Sequence, residues 1–343
     1  MKKLLQSISV LECDVTVKFI VTSRPETHIS TSPISNSHHN SILRLHTIDT
    51  NEVTSDIRLY IGDAFVSSAL ARPWYSEDDV NTLANISEGL FIFAYTIISY
   101  ILQAQSVKGR KSRLRTAMST VRDSKVALGP LDAMYELILA CASDPVKAEP
   151  DELGTTLLVL ACIVVSRSPL SSNALADLLG LDSDELRDSL KRLQSVLHMP
   201  EGTDQPGLRT LHASFDDYML TQRRIVKSVA DEMLARGCLR IIREKLHFNV
   251  ANNPSSYEAN ATTPLKISLS LNYACMQWLY HVARATAPST LDNDIEQLFC
   301  PQLLFWLEVM SALGQVWRAA AMLLYASSTV SRTFPLLPGF THT

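Results

Sequence analysis

The sequence predicts a mainly α-helical protein whose first part belongs to a parallel α/β sheet. Two observations predict this division. Short apolar runs bounded by polar turns, typical of strands, lie before residue 50, whereas apolar residues recur at helical spacing through most of the chain after Ser76. With 46% hydrophobic and 19% charged residues, the 343-residue chain has the composition of a globular protein with more than one domain.

The N-terminal part has the element order of an α/β unit. Apolar spacing in residues 4–11 indicates a short helix, and residues 15–22 and 42–48 have the composition of two strands. An apolar stripe over residues 53–64 then predicts a second helix. The order helix, strand, loop, strand, helix is that of a piece of a parallel α/β sheet.

A helical region is expected from Ser76 to about Ser166. Ser76 and Asp79 have the spacing of a capping box, which opens a helix. The apolar runs LFIFAYTIISYIL and LLVLACIVV are shorter than the roughly 20 residues that span a bilayer, so we interpret them as core helices. The basic run at residues 108–115 is interpreted as a solvated loop and helix start, because it carries no interleaved aromatic residues to stack on bases.

Residues 171–222 have the pattern of a winged helix. A short helix is expected to stop at Gly180, and a second helix places Leu186, Leu190 and Leu193 on one face. Two strand-like pieces flank the turn-rich EGTDQPG, and a third helix follows. Helix, helix, hairpin and helix in this order are the elements of a winged helix.

The rest of the chain is expected to be helical, apart from a polar loop at residues 249–264. The predicted domains are therefore residues 1–75, 76–168, 169–225 and 226–343. The six cysteines are far apart and are interpreted as buried thiols in a reducing compartment. The N-terminal apolar stretch is interrupted by polar residues and does not have the pattern of a signal peptide, so we expect a cytoplasmic location.

The net charge of the chain and the charge of the predicted recognition helix both argue against DNA binding. The net charge is −4, and the second helix of the predicted winged helix carries both acidic and basic residues that cancel. Phosphate contact supplies essentially all non-specific DNA affinity, so a neutral reading helix favours a structural role. We expect no nucleic-acid partner and no membrane partner, and keep a winged-helix DNA-binding regulator as the alternative.

Metal and hydrolase sites are not predicted. The histidines that crowd the N-terminal part have neither helix nor strand spacing and no accompanying carboxylate pattern; they are His28, His38, His39 and His46. The chain has no G-x-S-x-G motif, and its G-x-x-x-x-G, residues 202–207, is followed by leucine rather than by the Lys and Ser or Thr of a phosphate-binding loop. We therefore predict no catalytic residue and no metal ligand.

Five ordered motifs carry a family resemblance. KFIVTSRPE, SEGLFIFAYTIISYI, LDAMYELIL, LLGL with LKRLQSVLHMP, and LHASFDDYM resemble, in this order, fungal proteins with a NACHT domain, which belong to the STAND class of signal-transducing P-loop NTPases. LLFWLEVMSALG resembles the helical region after the NACHT module of the same proteins. The resemblance implies a remnant of a P-loop NTPase sheet, followed by a helical domain, a winged helix and a helical tail.

The resemblance also implies nucleotide-facing residues. Arg24 matches the sensor arginine that reaches the terminal phosphate; an arginine that caps a strand end or pairs with a surface acid is the alternative. Gly89, Leu90 and Phe91 match a G-L-P motif that packs on adenine, with phenylalanine in place of proline. His212 matches the histidine of an M-H-D motif that contacts the β-phosphate of ADP, although alanine replaces the aspartate; a buried hairpin histidine without a ligand is the alternative.

The expected function follows from this resemblance. We expect the C-terminal portion of a NACHT-type signalling NTPase, with the P-loop and Walker B acids upstream of Met1, acting as a regulatory or protein-interaction unit that does not hydrolyse ATP alone. ATP or ADP with magnesium would serve the intact family, and no cofactor is expected for the chain by itself. The enzyme alternative is an ATPase completed by another chain that carries the P-loop. Protein partners are expected, and an unpaired sheet edge at residues 15–22 predicts self-association.

Overall fold

The computed structural model describes residues 49–68, 74–124, 129–142, 150–222, 225–250, 267–298 and 302–330. The chain divides into two units, Met1–Val53 and Thr54–Thr343. The predicted helix at residues 4–11, the predicted strands at residues 15–22 and 42–48, and Arg24 lie outside the described residues. Apart from residues 49–53, with which α1 begins, the fold described below is that of the second unit.

The described residues are mainly helical, as the sequence predicts. The helices are α1 (Thr50–Ser67), α2 (Glu77–Ile86), α3 (Phe91–Leu102), α4 (Val107–Ser124), α5 (Pro130–Ala142), α6 (Pro150–Val165), α7 (Ser172–Leu179), α8 (Ser183–Lys191), α9 (Ala213–Thr221), α10 (Lys227–Lys245), α11 (Leu269–Val282), α12 (Asp292–Gln297), α13 (Leu303–Ala312) and α14 (Val316–Val330). A 3₁₀ turn, Pro288–Leu291, precedes α12. The strands in this part of the chain are β1 (Leu197–His198) and β2 (Arg209–Thr210).

Local sequence signals set several helix ends. Ser76 Oγ accepts the backbone N–H of Asp79 at 3.1 Å, and the Asp79 carboxylate accepts the N–H of Ser76 at 2.8 Å, so the predicted capping box opens α2. Gly180 follows α7 with φ 67°, in the left-handed region that glycine adopts without a steric penalty. Both predictions are confirmed.

Residues 170–221 contain the predicted order of helix, helix, hairpin and helix. β1 and β2 pair antiparallel, with Leu197 opposite Thr210, and a separate bridge joins Leu170 to Leu208. The apolar stripe of α8 and the turn after it is buried, and it consists of Leu186, Leu190 and Leu193. Helix α7 packs against α8, and α9 packs against β2 and against α5 outside this segment.

Helix α10 lies at the centre of the second unit. It packs against α6, α7, α11 and α12, and residues around most of its circumference are buried. At Gly237 the backbone of α10 approaches that of α7 closely, because a Cβ at this position would overlap the carbonyl oxygen of Leu178 near the end of α7. Only glycine allows the two backbones to come this close.

The cysteines are in part as predicted. Cys162, Cys238 and Cys275 are free and buried, and burial raises the pKa of the Cys162 thiol to about 12 and also raises the pKa of Cys238 and of Cys275. Cys141 corrects the prediction, since it is exposed near the end of α5, where its sulfur lies 3.3 Å from the hydroxyl of Tyr100. Cys13 and Cys300 lie outside the described residues.

The apolar helices α3 and α6 are core elements, as predicted. Among the described residues, no helix combines the length and the apolar character needed to cross a membrane.

Substitution of Gly237 tests the close approach of α10 to α7. We expect Gly237→Ala to lower the free energy of unfolding by at least about 2 kcal/mol, because the new methyl group meets backbone that cannot move without displacing a helix. The matched control is Gly154→Ala in α6, where nothing lies within 4 Å of the added Cβ. That change should raise stability by up to about 1 kcal/mol through helix propensity. Urea denaturation followed by circular dichroism measures both, and equal effects would contradict the contact.

Candidate functional site

His212 occupies the N-cap of α9, directly after the hairpin. Its backbone is extended, and its Nδ1 accepts the backbone N–H of Ser214 at 3.1 Å. The side chain is exposed. The prediction of a buried hairpin histidine, kept as the alternative to a ligand contact, is therefore wrong in its burial, because the cap position holds the ring at the surface.

A chain of hydroxyl groups fixes the His212 ring. Ser214 Oγ lies 2.7 Å from His212 Nδ1 and 2.8 Å from the hydroxyl of buried Tyr135 on α5. Because Nδ1 accepts a backbone N–H, it is the nitrogen without a proton, and Nε2 carries the ring hydrogen. Nε2 has no partner among the described residues, so it presents a free donor to solvent.

The same surface is supported by an aromatic cluster between α5 and α9. The ring of Tyr135 lies 5.0 Å from that of Phe215 and 5.4 Å from that of Tyr218. The hydroxyl of Tyr218 donates to the Glu136 carboxylate at 2.6 Å. Burial raises the pKa of Tyr135, so the Tyr135 hydroxyl keeps its proton for the hydrogen bond with Ser214.

Gly89, Leu90 and Phe91 form the turn between α2 and α3. Glu88 and Gly89 are both left-handed, with φ 50° and 78°, and the Leu90 N–H bonds to the carbonyl of Ser87 at 2.9 Å. This turn places Leu90 and Phe91 at the surface, 43% and 47% exposed. The predicted adenine-side motif is therefore accessible rather than part of the core.

An aromatic surface surrounds Phe91. The ring of Tyr60 on α1 lies 6.1 Å from that of Phe91, and Tyr95, one turn further along α3, is also exposed. Burial, with a smaller contribution from Tyr95, raises the pKa of Tyr60. We call Tyr60, Leu90, Phe91 and Tyr95 the aromatic surface.

The structure does not join the three predicted places into one site. Arg24 lies outside the described residues, and no hydrogen bond or ring contact links His212 to the aromatic surface within the part of the chain that is described. Sequence reasoning missed Tyr135, Ser214 and Tyr60. The i, i+4 spacing of Phe91 and Tyr95 was a usable signal, whereas the pairing of Tyr135 with Ser214 spans 79 residues and left no local pattern.

A buried group of three side chains has the composition of a catalytic triad. On α11, His281 Nε2 lies 2.8 Å from the hydroxyl of Tyr273, and its Nδ1 lies 2.7 Å from the Asp231 carboxylate of α10. The Arg167 N–H donates to the Tyr273 oxygen at 3.3 Å, so the tyrosine hydrogen points to His281 Nε2 and the Nδ1 hydrogen to Asp231.

This arrangement favours a structural role over catalysis. His281 is 0% exposed and both of its ring nitrogens are occupied, which leaves no nitrogen free to act on a substrate. The three side chains instead satisfy one another and join α10 to α11 inside the core.

A cavity of about 370 Å³ lies where the first residues of α7 and α11 meet the end of α10 and the hairpin. Lys245 lines it and is engaged by the Asp177 carboxylate and by Ser270 Oγ, the latter at 3.2 Å. Asp204 also lines the cavity. One cation against two carboxylates does not favour an anionic ligand, so this cavity is not assigned to phosphate.

Comparison with known proteins adds no relative: no protein family, no curated protein and no solved structure matches the chain. Within the described ranges, no group of three or more His, Cys, Asp or Glu side chains is arranged to hold a metal ion.

Tyr273→Phe tests the buried network. It removes the donor to His281 Nε2 and leaves a buried acceptor unpaired, so we expect a loss of about 1–3 kcal/mol in unfolding free energy. The control is Tyr280→Phe on the same helix, since the Tyr280 hydroxyl has no hydrogen-bond partner in the described part of the chain; its ring contacts with Arg167 and Arg284 persist. If the two variants unfold at the same urea concentration, the network does not stabilise the fold.

Substitution of Gly89 tests the left-handed turn before Phe91. Gly89→Ala should cost about 1–2 kcal/mol because φ 78° is unfavourable for a residue with a Cβ. Gly62→Ala in the middle of α1 is the control and should be stabilising, since nothing lies within 4 Å of its Cβ. Thermal unfolding measures both, and a stabilising Gly89→Ala would show that the turn adopts another conformation.

Proposed function

We propose that this chain is a regulatory, protein-interaction module of the NACHT/STAND type that does not hydrolyse ATP by itself. The observation that carries the proposal is the position of His212, which caps α9 directly after the hairpin and leaves Nε2 exposed. This is the place in a helix, helix, hairpin, helix unit where the family resemblance puts a phosphate-contacting histidine.

The cap gives His212 a defined donor for an anion. Nδ1 is held by Ser214, and Ser214 is held by Tyr135, so the ring cannot turn without breaking two hydrogen bonds. Nε2–H is then pre-aimed, which lowers the entropy cost of forming a hydrogen bond to a phosphate oxygen. The aromatic surface supports the same proposal, because exposed tyrosine and phenylalanine rings are suited to stacking on a base.

The chain's own residues do not supply the chemistry of ATP hydrolysis. Phosphoryl transfer depends on a loop backbone and lysine around the phosphates and on magnesium held by a Ser/Thr and an acid. No G-x-x-x-x-G-K-[ST] motif is present in the 343 residues. His212 and Arg24 could contact phosphates from one side, and each charge-assisted hydrogen bond contributes about 1.5–3 kcal/mol.

We predict millimolar or weaker ADP binding that depends on His212, and no turnover above buffer. Imidazole NMR signals should move with ADP for His212 but not for His198, an exposed histidine of the same hairpin. His212→Ser keeps a hydroxyl at the N-cap of α9 but removes the Nε2–H donor. It should therefore abolish the changes that ADP causes in the NMR signals of other residues, whereas His198→Ser should leave those changes in place. Magnesium-dependent ATP turnover that is lost in Arg24→Ala would overturn the proposal in favour of a complete active site.

A further inference from the structure

Helix α4 presents a row of unpaired cations. Of its basic run, Arg110 turns inward to the carbonyl of Ala104 at 2.9 Å, and Arg113 turns to the ring of Tyr100, 4.9 Å from its centroid. Lys111, Arg115 and Arg122 are exposed and have no ion partner among the described residues. The sequence analysis interpreted residues 108–115 as a solvated loop and helix start. The loop part is wrong, because the whole run lies within α4, where Arg110 and Arg113 turn inward and Lys111 and Arg115 are exposed.

Helix α1 presents an acidic row with the same spacing. Asp56 and Asp63 are exposed and have no ion partner in the described part of the chain. Leu59 lies between them on the same side and is 59% exposed. Arg58 lies on a different side of α1, since it is two residues from Asp56.

Three positions of α1 match three positions of α4. On α1 the order at i, i+3 and i+7 is Asp56, Leu59 and Asp63, and on α4 it is Arg115, Met118 and Arg122. The spacing is identical, the charges are opposite, and both middle residues are apolar. Two helices lying parallel would therefore pair acid with arginine at both ends and leucine with methionine between them.

We propose that α1 of one copy docks along α4 of a second copy of this chain. A second copy is favoured because the partner's complementary row lies in the same sequence, in matching register. An anionic polymer is less favoured, since the chain has a net charge of −4 and the row on α4 carries no aromatic side chain. The two surfaces differ, so the contact is head-to-tail and can extend to further copies.

The association should be weak and salt-dependent, because exposed ion pairs contribute little and are screened by salt. In sedimentation velocity, we expect the sedimentation coefficient to rise with concentration at about 50 mM NaCl and to stop rising at about 500 mM. Association that persists at high salt, or a chain that stays monomeric at low salt, would overturn the proposal.

Charge reversal identifies the surfaces. Arg115→Glu with Arg122→Glu should abolish association, and so should Asp56→Lys with Asp63→Lys. The control, Arg209→Glu with Lys227→Glu, makes the same change in net charge as the Arg115 and Arg122 double variant, at exposed positions elsewhere. It should associate like the unchanged chain, with the same salt dependence.

Combining the two charge reversals is the decisive experiment, because it should restore association. A mixture of the two double variants, and a single chain with all four changes, should both regain association, because opposite charges again face each other. Continued loss in the four-fold variant, or loss in the control pair, would overturn the proposal. The result is independent of nucleotide binding, so failure of the proposed function leaves this test intact.

Discussion

The contact between Gly237 and the carbonyl of Leu178 sets the arrangement of the second unit. Helix α10 touches α6, α7, α11 and α12, and α7 also packs against α11, so the distance between α10 and α7 limits where α11 can lie. The missing side chain at Gly237 allows a backbone-to-backbone approach that any other residue would prevent. On its other sides α10 carries buried side chains, which pack against the remaining helices.

Two histidines in the unit show opposite uses of the same ring. Both ring nitrogens of His281 are hydrogen-bonded, to Tyr273 and to Asp231, and the ring is buried, so these hydrogen bonds join α10 to α11. The Nδ1 of His212 accepts a hydrogen bond, and its Nε2 faces solvent without a partner among the described residues. A ring held by one nitrogen at the surface has a fixed direction and a spare donor, which is the property that a binding residue requires.

Local patterns predicted much of the fold, and long-range contacts account for what they missed. The capping box of Ser76 and Asp79 and the stop at Gly180 are decided within a few residues, so they could be predicted. The bond between Tyr135 and Ser214 joins residues 79 positions apart, and no periodicity encodes it. The predicted sheet and Arg24 lie outside the described residues and stay predictions.

The hydroxyl bonds between α5 and α9 have a mechanical consequence. Neighbouring residues Tyr135 and Glu136 each hold α9, one through Ser214 and the other through Tyr218. These two hydrogen bonds restrict the rotation of α9 relative to α5, so they also restrict the position of the His212 imidazole relative to α5. Helix α5 also packs against α3, whose first residue is Phe91. The packing of α3 on α5 and the two hydrogen bonds from α5 to α9 thus form one continuous set of contacts between the helix that begins at Phe91 and the helix that His212 caps.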